Sequence, residues 1–263
     1  SLQRDCQIPI SRECIALFST SIGARPSTSS RCDVARSWLG CGRNKENMKA
    51  LGAMKVNAGS LTGIAADVTQ IEDVKKVFRE LDNTDQGLCS VIYNAGNNNA
   101  KPFLEMDLPF FQDLWEVCAK GAFLISQEAI PRLIDNGGGS LIFTGATASL
   151  RSRPPFTAFA AAKSAERSLA QGLAKEFGGQ GVHVANVIID GIIDGDKVNL
   201  RFPEFAASKG EDGKLNINHI AENFLMLHDQ KKSTWSYELD LRPSAESRKK
   251  LVITKKKSEQ GPT

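Results

Sequence analysis

Short apolar runs and longer periodic stretches alternate along this chain. Cys14-Ile-Ala-Leu-Phe18, residues 60–66, Leu88–Tyr93, Ser140–Thr144 and Gly181–Ile189 are continuous, apolar and of strand length, and most are closed by Asn, Asp or Gly. Between them the apolar residues return every three or four positions. Val74, Val77, Phe78 and Leu81 predict an amphipathic helix over 70–82, and a mostly helical stretch covers 107–134. An alanine-rich helix runs from about 155 to 177, and another falls near 216–229. Gly137-Gly-Gly139 ends the helical stretch before it, and residues 234–240 predict a last edge strand. Strand and helix in alternation predict an α/β fold, a Rossmann-like doubly wound parallel sheet with helices on both faces in a single domain. The boundaries divide the chain into an N-terminal extension (1–14), the α/β domain (15–242) and a tail (243–263).

Composition sets limits on this picture. With 41% hydrophobic and 24% charged residues over 263 positions, the chain can build one full core, and a net charge of +3 makes no case for a nucleic-acid partner. The charge is uneven. Arg248, Lys249, Lys250, Lys255, Lys256 and Lys257 predict a basic, solvated and disordered tail. No apolar run reaches the roughly 20 residues of a membrane span, so no membrane partner is expected. The six cysteines show neither a Cys-x-x-Cys pair nor metal spacing with the three histidines, which predicts no metal and reduced thiols in a cytoplasmic setting.

Four stretches carry a resemblance: Ala66-Asp67-Val68, Asn94-Ala95-Gly96, Phe159-Ala-Ala-Ala-Lys163, and the strand ending at Asp190-Gly191. In this order and spacing the chain resembles the short-chain dehydrogenase/reductase family over residues 43–242. It is similar in particular to an atypical branch in Phe143 to Arg151, Ile188 to Gly191 and Glu238 to Pro243. The resemblance implies hydride exchange between NAD(P) and a small-molecule carbonyl or alcohol at the carboxyl edge of the sheet. It also implies association through the long helix, as a homo-oligomer or with a related subunit.

The family's catalytic tyrosine stands one helical turn before its lysine, whose ammonium lowers the phenol pKa so that it can protonate a carbonyl. The matching positions here are Phe159 and Lys163, and a phenyl ring has no proton to give. The family serine falls on Ala146, thirteen residues before Phe159, and the family asparagine on Cys118. Thr147, one residue past Ala146, is the candidate replacement hydroxyl, and Ser149 lies further off. For both, ordinary turn hydrogen bonding is the alternative. Cys118 reads as a packed core thiol or as a nucleophile. Lys163 alone keeps its family identity, with contact to the nicotinamide ribose as its implied role and an exposed helical lysine as the alternative.

By the same resemblance Arg43 favours NADP, with NAD open, and Asp67 contacts adenine. Asn94, Ala95 and Gly96 flank the adenine ribose, and Gly191 stands at the cofactor side of its strand. A helix cap at Asp67 and a strand-ending turn at Asn94 are the alternatives. The Gly-rich pyrophosphate loop is missing: the stretch Ser19–Ser30 holds Gly23 alone. Three readings stay open for it, namely phosphate held by serine hydroxyls and Arg25, a flexible serine-rich loop, or a shifted reading frame over about 19–41. Asp190, Asp194 and Asp196 read as an acidic turn more readily than as a metal site. The lid region near Arg201–Phe205 does not specify a substrate. Two functions follow: an NAD(P)-dependent oxidoreductase lacking most catalytic groups, its proton coming from water, substrate or Thr147, or a non-catalytic scaffold or inactive oligomer partner.

Overall fold

A computed structural model describes residues 15–21, 36–54, 60–84 and 86–245. The N-terminal extension 1–14, the serine-rich stretch 22–35 with Gly23 and Arg25, and the basic tail from 246 onward lie outside the described residues. The strands of the main sheet are β1 (Ile15–Ser21), β2 (Arg36–Gly42), β3 (Ser60–Ala65), β4 (Gln86–Tyr93), β5 (Gly139–Ala146), β6 (Val182–Ile189) and, last in the chain, β9 (Glu238–Leu241). They lie in the order β3-β2-β1-β4-β5-β6-β9, while β7 (Ile193–Asp194) and β8 (Leu215–Asn216) form a separate parallel pair. The helices are α1 (Lys45–Gly52), α2 (Ile71–Asp82), α3 (Leu108–Trp115), α4 (Gly121–Asp135), α5 (Thr157–Phe177), α6 (Asp196–Arg201), α7 (Pro203–Ala207) and α8 (Ile217–Asp229). None of these helices is long and apolar enough to cross a membrane.

Periodicity explains what each helix buries. Val74, Val77, Phe78 and Leu81 of α2 join α4 and α5 over one face of the sheet, where Val91, Leu141 and Val184 point into the same core. Arg132 of α4 clamps α2 from outside, its Nε 2.8 Å from Asp82 and its guanidinium 5.0 Å above the Phe78 ring. On the other face Ile220, Phe224 and Leu227 of α8 cover Ile92, Ile142 and Val187. Side-chain caps start the helices where the sequence supplies them: Asp107 accepts from Phe110 N–H at 3.0 Å, and Asn216 from Asn218 N–H at 2.8 Å.

The sheet departs from the all-parallel expectation at one strand. β2–β3, β4–β5, β5–β6 and β6–β9 are parallel, but β1 runs antiparallel to both of its neighbours. Ser21 pairs with Gln86, the first residue of β4, and Thr20 with Arg36, the first of β2. The chain therefore leaves β1 and enters β2 at the amino edge, as in a hairpin. A parallel neighbour needs a crossover across the sheet, and a sequence rich in Ser with Pro26 lacks the material for a crossover helix.

The mostly helical stretch over 107–134 is as expected, and one other expectation is corrected. Within that stretch α3 and α4 are joined at Glu116–Lys120 by a widened π-type turn. The phenol of the buried Tyr93 donates to the carbonyl of Val117 in this segment, an insertion of the kind that distorts a helical ladder. The last strand starts at Glu238 and not at residue 234. Trp235 instead stacks on His183 at 4.8 Å and donates its indole N–H to Gln230 O at 3.1 Å.

The glycine run after α4 carries a testable constraint. Gly138 holds φ +111°, and a Cβ there would lie 2.5 Å from the carbonyl oxygen of Gly181. Gly138→Ala therefore meets both backbone strain and a backbone clash, and is expected to cost about 2–3 kcal/mol in urea unfolding. Gly172, exposed within α5 with no atom within 4 Å of its added Cβ, supplies the opposite sign: Gly172→Ala is expected to gain about 0.5–1 kcal/mol.

Candidate active site

Where β4, β5 and β6 end side by side, a pocket of about 270 Å³ opens at the carboxyl edge of the sheet. Three strand ends and one helix build its wall. Asn94 and Gly96 follow β4, Thr144 and Thr147 flank the end of β5, and Phe159 and Lys163 stand one turn apart on α5. Gly191 follows β6, and a Cβ there would lie 2.7 Å from Cδ of Pro243, so the wall is tight at that point.

Lys163 is 4% exposed although it lines the pocket, which removes the alternative of an exposed helical lysine. Its ammonium donates to the carbonyl of Thr144 at 2.8 Å and to both carboxylate oxygens of Glu166, at 2.9 and 2.8 Å. Glu166 is the residue that sequence reasoning misses. It stands three positions after Lys163 on the same helical face, a spacing that ordinarily marks a solvated surface pair, yet here it is wholly buried. Burial pushes the Glu166 carboxyl up to about 7 against the pull of the lysine. Burial is the largest influence on Lys163 and opposes its charge, but the Glu166 carboxylate, by charge and hydrogen bond, and Cys118 together hold the ammonium above its ordinary value.

Two neutral groups complete this cluster. Cys118 lies in the widened turn, fully buried, and burial pushes its thiol up. That is the setting of a packed core cysteine, since a thiol nucleophile needs the opposite shift. Tyr93 is likewise buried, which carries its phenol well above the usual tyrosine value.

The hydroxyls after β5 are already engaged. Thr147 Oγ1 donates to Asp190 at 2.6 Å, and Ser149 Oγ donates to the carbonyl of Ala146 at 2.7 Å, the turn bond expected of it. A hydroxyl whose proton is held by a carboxylate presents its lone pairs to a ligand. Ala146 contributes only a methyl to the wall. Asp190 further meets Arg151 at 3.3 Å and Arg242 at 3.2 Å, so it joins the ends of β5, β6 and β9. Asp194 is held by Lys214 at 2.8 Å and Asn199 at 2.9 Å. Thr144 has a buried Oγ1 with no hydrogen-bond partner among the described residues.

The remaining sequence candidates spread along the edge. Asn94 and Ala95 are buried, and Gly96 lies against Lys163, a Cβ there falling 3.5 Å from Nζ. Asp67 accepts from Thr69 N–H at 2.9 Å and from its hydroxyl at 2.8 Å, which fixes the turn between β3 and α2. Arg43 is exposed just past β2, and neither it nor Asp67 enters the pocket wall.

A family described as short chain dehydrogenase matches residues 21–201. Among curated proteins, an uncharacterised oxidoreductase of Staphylococcus aureus is 27% identical over 202 residues, 77% of this chain and 84% of that protein. The uncharacterised oxidoreductase YuxG of Bacillus subtilis is 30% identical over 141 residues, 53% of this chain and a 20% share of the longer protein. The crystal structure of a short-chain dehydrogenase from Rhodopseudomonas palustris superposes with a TM-score of 0.62 at 28% identity, covering 78% of this chain and 85% of that one. A gluconate 5-dehydrogenase from Burkholderia cenocepacia, in complex with NADP and tartrate, shares the fold at a TM-score of 0.68 and 16% identity, covering 79% and 84%. The carboxyl-edge pocket, the strand order and these matches agree: the chain belongs to the short-chain dehydrogenase family.

Proposed function

We propose that the protein is a nicotinamide-dependent oxidoreductase that acts on a small carbonyl or alcohol in the carboxyl-edge pocket, with NADP favoured over NAD. The observation that carries this reading is the convergence of Asn94, Gly96, Thr144 and Lys163 on one pocket. A volume of about 270 Å³ suits a nicotinamide ring with its ribose and is too small for a whole dinucleotide. The orphaned Thr144 hydroxyl is a group that a ligand amide or hydroxyl would satisfy. The described residues therefore fit the nicotinamide riboside end, held by Asn94, Gly96, Thr144, Lys163 and Gly191. Bound there, the cofactor supplies or accepts a hydride. Arg43, exposed past β2, supports a preference for the 2′-phosphate of NADP. Phe159 and Ala146 contribute no proton or hydrogen bond, so the proton comes from water or the substrate, while Thr147, its own proton held by Asp190, offers lone pairs to a substrate hydroxyl.

A second reading, a non-catalytic oligomer partner, draws on two observations. β1 ends at the amino edge of the sheet, opposite the carboxyl edge at which a strand that feeds a pyrophosphate loop ends. A groove between α4 and α5, lined by Phe123, Ile130, Leu169 and Leu173, also supports association through the long helix. Fluorescence titration with NADPH separates the readings. Saturable binding with turnover of a carbonyl supports the enzyme, binding without turnover supports the partner, and no binding ends the enzyme reading. Light scattering on the same sample should show a dimer or larger, and a monomer at micromolar concentration sinks the association.

A further inference from the structure

An ammonium has three protons, and Lys163 has three acceptors: Thr144 O, Glu166 Oε1 and Glu166 Oε2. Nothing is left on Nζ for a ligand in the pocket that this residue lines. Glu166 has no alternative either. It is 0% exposed, it is absent from the pocket wall, and Lys163 is the only donor to its carboxylate among the described residues. A ribose hydroxyl that pairs with Lys163 must therefore displace the Thr144 carbonyl or a Glu166 oxygen from Nζ, and displacing the latter leaves a buried carboxylate short of a hydrogen bond.

We propose that Glu166 is a proton-operated gate on Lys163: the carboxylate locks the ammonium inside the helix–sheet interface, and taking up a proton releases it to a ligand hydroxyl in the pocket. The inference rests on the dinucleotide reading above and specifies how that site is regulated. When Glu166 takes up a proton, its ionic hold on Nζ is lost, and one Nζ proton turns to the ligand. Binding and proton uptake are then one equilibrium.

The surroundings leave Glu166 as the member that titrates near neutrality. Lys163, on the same helix, is held above its ordinary value against burial by the ionised Glu166, so it is charged in the locked state, and in the released state the Thr144 carbonyl and the ligand hydroxyl are its acceptors. Cys118 from the widened turn and Tyr93 from β4 are both pushed upward by burial and stay neutral. Arg167, next along α5, is engaged by Glu238 at 2.6 Å. The Glu166 carboxyl itself is raised to about 7.

The test is calorimetric titration of the full chain with NADPH between pH 6 and 8.5, for the wild type and for Glu166→Gln. Glutamine keeps one acceptor for Nζ and frees one donor. The wild type should weaken by about tenfold per pH unit above pH 7. Glu166→Gln should bind with little further pH dependence and, at pH 8, at least about tenfold more tightly than the wild type. The 2′-phosphate of NADPH titrates near 6 in both proteins, so their difference isolates Glu166. A second readout uses the ligand-free chain: the ¹³C carboxyl resonance of Glu166, identified by its loss in Glu166→Gln, should titrate near 7 and shift toward the protonated form on adding NADPH at pH 7.5. Equal affinities with equal pH profiles, or a carboxyl titrating near 4.5, overturn the gate while leaving cofactor binding intact. No binding by either protein at any pH removes the dinucleotide reading and the gate with it.

Discussion

Lys163→Met is expected to lose about 3–5 kcal/mol of stability at pH 8 and far less at pH 5. The asymmetry comes from Glu166. In the native fold burial raises its carboxyl to about 7 and the ammonium of Lys163 pulls it back down. Methionine removes that pull, so the folded-state value rises further above the unfolded value near 4.5. A group raised on folding gives its full stability below the unfolded value and loses it as pH climbs through the folded one. Urea unfolding of the variant should thus be nearly wild-type in acid and weaken steadily through neutrality. Within the fold the Glu166 carboxylate cannot turn out into water to relieve its charge, since it is fully buried and meets the pocket only through Lys163. The double variant Lys163→Met/Glu166→Leu should recover most of the loss, because an apolar pair of similar volume leaves no uncompensated charge. A pH profile for Lys163→Met that parallels the wild type would show that the pair does not carry this energy.

Phe159→Tyr is expected to raise NADPH-dependent carbonyl reduction by about 10²-fold, the low end of what a placed general acid contributes. Phe159 is half-buried in the pocket wall, one turn before Lys163, so a phenol at this position faces the substrate volume. The low end applies because the ammonium that should lower the phenol pKa is bound to Glu166 on both carboxylate oxygens. Adding Glu166→Gln should therefore increase the rate again and move the alkaline limb of the pH–rate profile, where the phenol ionises, downward. Single-turnover measurement at saturating NADPH separates this gain from binding. If Phe159→Tyr leaves the rate at the wild-type level, the limit lies with Ala146 and Cys118, which offer the carbonyl neither an orienting hydroxyl nor an amide.

The elements that bury one clean face were legible in the sequence. α2 follows Val74, Val77, Phe78 and Leu81, and α5 and β6 start within two residues of the expected positions, because Gly and Pro punctuation fixes their ends. Strand direction was not legible. The run at residues 14–18 has the apolar character of a sheet interior, but such a run pairs equally well either way, and only the connection to β2 decides between them. The widened turn at Glu116–Lys120 escaped notice because its cause, the phenol of Tyr93, comes from another element. Glu166 escaped for a related reason. Its spacing from Lys163 is visible in the chain, but its burial depends on β4, β5 and the turn around Cys118 closing over that face of α5. Asn94, Gly96 and Gly191 were singled out by the family resemblance, and they line the pocket because they follow strands, whose ends in an open α/β sheet define where a site can form.

The reversed first strand also decides where this protein can be handled. Ile15 pairs with Tyr93, the last residue of β4, so the polypeptide enters the sheet beside the pocket. β9 lies parallel to β6, so the path leaves at that same edge, with Pro243 packed against Gly191. A reporter attached at Ile15 or at Pro243 therefore stands on the pocket edge of the sheet. The tight turn at Asn83–Thr84, on the far side of the sheet between α2 and β4, offers an attachment point that keeps such a label out of the way.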